Sequence, residues 1–221
     1  MRLLIGSLLT VLVAGCGGKD GGTDDSASAP LDCGAYSGIQ DVGSSWSWDY
    51  EVDGQEADLS AEVTAISGSD VTIESSYDYS YTYVDYHQSE TDAYRCDADG
   101  LWLLSMATEY DLTRDEGETQ GTKDTNYDEP RLLLPLTFAV GDTWDEHVVG
   151  SVTDSGTDST YNFDYIITAT AYSAESVSVE AGDYDTMLVT EDAVGDILKW
   201  WRAKDVGIVK ADDRELLSYD P

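Results

Sequence analysis

The residue types that usually carry catalysis are scarce in this chain and have no recognisable local partners. Two histidines occur, His87 and His147, and neither lies in a metal-binding or catalytic pattern. The chain has no Gly-x-Ser-x-Gly turn, phosphate-binding loop or Gly-x-Gly-x-x-Gly fingerprint. Paired carboxylates are enough for glycoside cleavage, but acids are so abundant that no pair stands out. We therefore expect a protein that is not an enzyme, with a carboxylate-dependent hydrolase as an alternative.

Calcium is the metal that the many acidic residues suggest, because carboxylate oxygens are its usual ligands. Asp97-Ala98-Asp99-Gly100 begins like an oxygen-ligand loop, but the remaining ligands of such a loop do not follow. Aspartates at turns commonly bond their own backbone instead. The sequence therefore predicts no metal site and no cofactor.

The aromatic residues are the stronger candidates for binding. The chain has 6 Trp and 15 Tyr but only 2 Phe, and tyrosine alternates with polar residues over positions 77–83. Tyr and Trp combine an apolar face with a polar tip, which suits a binding surface. On this hypothesis Trp46, Trp48, Tyr79 and Tyr81 line a groove for a hydrophobic, glycan or protein ligand. The alternative is cross-strand aromatic packing without a ligand.

The first sixteen residues have the order of an export signal, with a basic start, an apolar run and small residues before Cys16. The segment Leu12-Val13-Ala14-Gly15-Cys16 resembles the lipobox of bacterial lipoproteins. That resemblance implies that residues 1–15 are a signal peptide and that Cys16, once lipidated, becomes the mature N-terminus. The alternatives are an ordinary secretory signal with a chance cysteine, or a membrane helix, for which the apolar run is short.

The lipoprotein resemblance also implies a cellular location and a membrane as the partner. It places the chain in the cell envelope, attached to a membrane through the lipid on Cys16. Gly17 after the cysteine implies sorting to the outer membrane, on its periplasmic or its external face. In that oxidising compartment Cys33 and Cys96 are an even pair, which predicts a disulfide; two free buried thiols are the alternative.

The charge of the chain is extreme. Asp and Glu number 45 against 11 Lys and Arg, a formal net charge of −34. Without the signal, which contains one Arg and no acid, the balance is 10 − 45 = −35. Such a surface repels phosphates, so a nucleic-acid partner is excluded. Adaptation to salty surroundings and a cation-binding surface are the two remaining explanations, and the spread of acids along the whole chain favours the first.

The elements that must position these residues are β-strands. Residues 16–38 are rich in Gly, Ser and Asp, and we interpret them as a flexible linker behind the lipidated cysteine. From residue 39 short alternating runs and turn signals follow one another without helical periodicity, which predicts one all-β domain over 39–221. The architecture expected is a curved antiparallel sheet, a sandwich or a partial barrel. The polar stretch 113–129 is predicted to be a long hairpin tip or mobile loop.

Parts of the domain resemble each other. Val42-Gly43-Ser44-Ser45-Trp46 is similar to Val140-Gly141-Asp142-Thr143-Trp144, and two later pairs of segments follow in the same order. Two duplicated β-meanders, over 39–112 and 136–219, would produce this pattern. Chance likeness between strand–turn–strand sequences is the alternative.

The C-terminal part carries a second resemblance. The turn at 180–186 and the strand pair Trp200–Lys210 are similar to the ending of uncharacterised, β-rich bacterial envelope lipoproteins. The resemblance implies a curved antiparallel β-domain and brings no activity with it. The function expected is therefore a lipid-anchored envelope protein with a binding or carrier domain. A structural or adhesion module is the main alternative.

Overall fold

The computed structural model describes residues 32–52, 55–81, 84–114 and 117–221, without the side chains at 51, 52, 55, 56 and 81. Within these ranges the chain forms twelve antiparallel strands that follow one another around a single sheet. The strands are β1 Ser45–Val52, β2 Gln55–Ser67, β3 Asp70–Tyr81, β4 Val84–Cys96, β5 Gly100–Arg114, β6 Gly117–Pro135, β7 Thr143–Asp154, β8 Ser159–Val179, β9 Gly182–Ala193, β10 Asp196–Ala203, β11 Gly207–Ala211 and β12 Arg214–Asp220.

The sheet closes into a barrel. The first and last strands pair antiparallel, with Trp46 opposite Tyr219 and Tyr50 opposite Arg214. The all-β prediction is confirmed, and the sheet is complete rather than open or split in two. Closure pairs each described strand with a neighbour on both sides, although the ends of long strands such as β6 extend beyond the β7 ladder.

The two faces of the barrel wall differ as period-two patterning requires. In β4 alternate residues from Gln88 to Cys96 are buried, and the residues between them are half-buried or exposed. The core therefore lies inside the barrel, while many aspartates, glutamates, serines and threonines face outward. The core contains Trp46, Trp48, Val63, Val71, Ile73, Leu101, Leu103, Leu134, Val209 and Leu216.

The polar stretch 113–129 contains the end of a hairpin, as predicted, but most of it is strand rather than loop. It belongs to the hairpin of β5 and β6, in which Thr113 pairs with Glu118 and Tyr110 pairs with Gly121. Polar residues are compatible with these strands because every second side chain faces outward. Glycine at 121 makes room for the Tyr110 ring, since a Cβ there would lie 2.6 Å from the tyrosine oxygen.

Residues 32–39 form a short segment across one end of the barrel, which we call the N-terminal strap. Cys33 and Cys96 form a disulfide, as the sequence predicts, and their side chains are almost fully buried. The amide of Asp205 donates to the carbonyl of Ala35 at 2.7 Å, which ties the strap to the β10–β11 turn. The folded domain thus begins before residue 39, and the last residues of the predicted linker pack against the barrel.

The two halves of the barrel share local hydrogen bonds. Before β1, the Gly43 amide donates to the Val63 carbonyl at 2.8 Å; before β7, the Gly141 amide donates to the Ala171 carbonyl at 2.7 Å. Both glycines have positive φ, 98° and 96°. A shift of register follows Val63 and Ala171 alike. A duplication would produce these shared features, and the duplication itself stays a prediction.

Candidate functional site

A small cavity lies inside the barrel beneath the N-terminal strap, and we call it the strap cavity. Its volume is about 60 Å³. Trp46 and Trp48 lie in its wall, and their indole N–H groups donate to the carbonyls of Val206 and Ile208 at 2.6 and 3.1 Å. The lining is mostly apolar and comprises Ser37, Ile39, Trp46, Trp48, Ala61, Ile73, Tyr94, Leu101, Leu133, Arg202 and Ile208.

Arg202 is the one charged group in this wall. It stands in β10, two residues after the buried Trp200, so period two turns it inward as well. Its Nε atom is buried and has no hydrogen-bond partner among the described residues. Burial lowers the pKa of the guanidinium, and the attraction of Glu191 offsets only part of that effect. The cavity wall therefore holds a buried positive group that lacks a full set of acceptors.

A second arginine in the interior is paired with two glutamates. Arg131 in β6 donates from Nε to Glu146, and its Nη2 atom lies 3.5 Å from Glu191 Oε2. Both glutamates are nearly buried, at 3% and 6% exposure. Buried charges of this kind are held in place by their partners, because an unpaired one costs several kcal/mol.

Burial is the largest influence on the carboxyl group of Glu146 and raises its pKa to about 7, against the opposing attraction of Arg131. Burial also lowers the pKa of Arg131, but Glu146 and Glu191 outweigh it and hold that pKa above its ordinary value. A carboxyl group with a raised pKa beside a second carboxyl group is the pattern of a catalytic acid–base pair. Here Arg131 contacts the Oε2 atom of each carboxylate, both glutamates are buried, and the Oε1 atom of Glu146 has no hydrogen-bond partner among the described residues.

The structure separates the aromatic residues that the sequence suggested for one groove. Trp46 and Trp48 stack on each other in the core and line the strap cavity. Tyr79 stacks on Tyr77 towards the opposite end of the barrel, and the side chain of Tyr81 lies outside the described residues. The two tryptophans and Tyr79 therefore line different cavities, and a ligand at either place stays a prediction.

Tyr79 borders a larger depression of about 660 Å³ whose wall contains five aspartates. Strand pairing produces this acidity, because acids from neighbouring strands lie directly opposite one another. This acidic row runs Glu215, Asp49, Asp58, Asp78, His87, Asp111 from β12 to β5. Within it His87 Nδ1 lies 2.7 Å from Asp78 Oδ1. The sequence suggested evenly spread acids, and pairing across strands gathers several of them.

Among the described residues, neither the acidic row nor the buried group of Arg131, Glu146 and Glu191 forms a metal site. In the part of the chain that the structure describes, no group of three or more His, Cys, Asp or Glu side chains has the geometry to hold a metal ion.

The sequence analysis did not predict these charged residues in the interior: Arg131, Glu146, Glu191 and Arg202. A usable signal was present, because Glu146 stands between Trp144 and Val148 at the apolar positions of an alternating strand. A charge at an inward position marks either a buried ion pair or a ligand contact.

Comparison with family models, with curated proteins and with solved structures gives no match for this chain. Among the described residues, no helix has the length and hydropathy needed to cross a bilayer.

Proposed function

We propose that this chain is a lipid-anchored envelope protein whose barrel binds a small ligand in the strap cavity and catalyses no reaction. The observation that carries the proposal is the cavity itself, an apolar chamber inside a closed barrel with one incompletely partnered guanidinium in its wall. Apolar chambers with a few placed polar groups are the usual form of ligand sites. At about 60 Å³, the chamber suits a ligand of a few atoms rather than a lipid chain.

The proposed anchor is Cys16, which lies outside the described residues. The lipobox pattern supports it, and so does the oxidised pair Cys33–Cys96, because disulfides persist mainly outside the cytosol. The segment between the proposed anchor and the disulfide is 33 − 16 = 17 positions long and joins the barrel at its strap end.

The anchor is tested by labelling cells with palmitate. We expect label in the wild-type chain and none in Cys16→Ser, which is then released from the membrane fraction. Unlabelled wild-type protein, or a Cys16→Ser variant that still sediments with membranes, would remove the anchor from the proposal.

The chamber is tested with xenon, a neutral apolar probe that enters dry cavities of this type. Ala61 lines the cavity, so Ala61→Leu fills it. The matched control is Ala169→Leu, since Ala169 is also fully buried and pairs with Trp144 as Ala61 pairs with Trp46.

We expect the ¹²⁹Xe resonance of dissolved xenon to shift with wild-type protein and with Ala169→Leu, and not with Ala61→Leu. Circular dichroism verifies that each variant is folded. If xenon gives the same response with Ala61→Leu as with the wild type, the chamber admits no ligand, and a structural or adhesion module becomes the better explanation.

A further inference from the structure

The most unusual group in the interior is the guanidinium of Arg202. A buried arginine normally donates to several acceptors, because its five N–H groups lose their water on burial. Arg131 follows this rule with Glu146 and Glu191. In contrast, Arg202 has no described acceptor at Nε, although it faces the same interior.

The neighbouring acids do not supply what Arg202 lacks. The Oε2 atoms of Glu146 and Glu191 are both directed at Arg131. The hydroxyl of Tyr94, which shares the cavity wall with Arg202, donates to Asp92. The guanidinium thus lines a mostly apolar cavity, and its buried Nε–H group has no acceptor among the described residues.

Resting on the proposed function, we propose that the strap cavity binds one small monovalent anion, a halide or a short carboxylate such as formate, on the guanidinium of Arg202. An anion accepts from the unsatisfied Nε–H group and neutralises the charge of the arginine. The volume of about 60 Å³ suits an ion of this size. A single water needs only about 10–15 Å³, so an anion with one or two waters fits as well.

The experiment is a ³⁵Cl line-width titration of the folded, disulfide-bonded domain with chloride. Sodium gluconate, whose anion is too large for the cavity, keeps the ionic strength constant. We expect saturable broadening with wild-type protein. Loss of a charge-assisted hydrogen bond predicts at least about tenfold weaker binding in Arg202→Gln. The control Arg114→Gln removes one positive charge from the exposed end of β5 and leaves the broadening unchanged.

Competition separates the two kinds of anion. If formate displaces chloride at lower concentration, a short carboxylate is the preferred ligand; if it does not, the site prefers a halide. Ala61→Leu provides a second route should Arg202→Gln fail to fold, because it blocks the cavity without touching the arginine.

Broadening that is absent, or equal in the wild type, Arg202→Gln and Ala61→Leu, overturns the inference. Should xenon still enter the wild-type cavity in that case, the proposed function survives with a neutral ligand. If neither probe enters, both proposals fail together.

Discussion

At the residue scale the interior of this barrel is defined by charges that stand where apolar side chains are expected. Glu146 occupies an inward position between Trp144 and Val148, and it is stable there because Arg131 reaches it from the neighbouring wall. The sequence predicted the disulfide of Cys33 and Cys96 because an even pair of cysteines in an oxidising compartment is enough to predict a bond. The sequence could not predict the buried ion pairs of Arg131 with Glu146 and Glu191, because strand register brings residues from different strands together.

Glu146 gives the stability of the protein a specific dependence on pH. Its pKa is about 7 in the folded chain, above the ordinary value of 4.5. Between these two values the unfolded chain loses the proton while the folded chain keeps it, so the contribution of Glu146 to stability falls as the pH rises. The full difference is of the order of 3 kcal/mol, since one pKa unit corresponds to about 1.4 kcal/mol.

We therefore expect the free energy of unfolding of the wild type, relative to Glu146→Gln, to decrease by about 1–3 kcal/mol from pH 4.5 to pH 7. Urea unfolding at the two pH values measures it. Glu180→Gln serves as the control because it removes the same charge from an exposed position. A wild-type advantage over Glu146→Gln that grows as the pH rises would contradict this assignment of the burial effect.

At the element scale the strap covers part of one end of the barrel. Ser37 and Ile39 contribute to the cavity wall, and the disulfide fixes the strap to the end of β4. Alternation predicted β-structure from residue 39 onward, and the chain forms strands there, such as β9 at Gly182–Ala193 and β10 at Asp196–Ala203. It missed most of the strand residues in 113–129, because a strand with both polar and small residues has the composition of a loop.

The strap predicts the outcome of removing the disulfide. The bond closes a loop of 63 residues, for which the chain-entropy model gives about 4 kcal/mol. We expect Cys33→Ser with Cys96→Ser to lower the free energy of unfolding by up to this amount and to speed amide exchange at Ser37 and Ile39.

Hydrogen exchange followed by mass spectrometry resolves the strap from the rest of the chain. Peptides from the β7–β8 turn are the internal control, because Thr153 and Thr160 pair there outside the core cluster that contains Cys33 and Cys96. If the amides of the strap stay as protected as before in the double variant, the strap is held by its hydrogen bonds alone and the disulfide does not keep the chamber closed.

At the scale of the whole molecule, a strongly negative outer wall surrounds a mixed interior. Alternation along each strand is a local property, so the sequence predicted an all-β protein. Closure depends on the pairing of β1 with β12, about 170 residues apart, and on the shear of all twelve strands. For that reason an open sheet, a sandwich and a partial barrel were indistinguishable from a closed barrel at the level of sequence.

The acidic row predicts a dependence of stability on salt. Asp58 lies between Asp49 and Asp78 on adjacent strands, and like charges in directly opposite positions destabilise a sheet by about 0.2–1 kcal/mol. Asp58→Asn should raise the melting temperature in low salt, and the gain should fade in 1 M NaCl, where screening acts over about 3 Å.

Thermal melts of the wild type, Asp58→Asn and Asp196→Asn at both salt concentrations make the comparison. Asp196 is exposed at the start of β10 and faces no acid, since its partner in β9 is Ala193. We expect a smaller effect there. Equal gains in the two variants would mean that total charge, and not the row, governs the effect of salt.

The most direct test of the account is a crystal structure of the domain with bromide, located by its anomalous scattering. We predict one ordered bromide between the Arg202 guanidinium and the ring of Tyr94, inside the strap cavity, and none there in Arg202→Gln. A wild-type cavity that holds only water or is closed by side chains, with bromide confined to the outer surface, would contradict the claim that the barrel interior is a binding site for small anions.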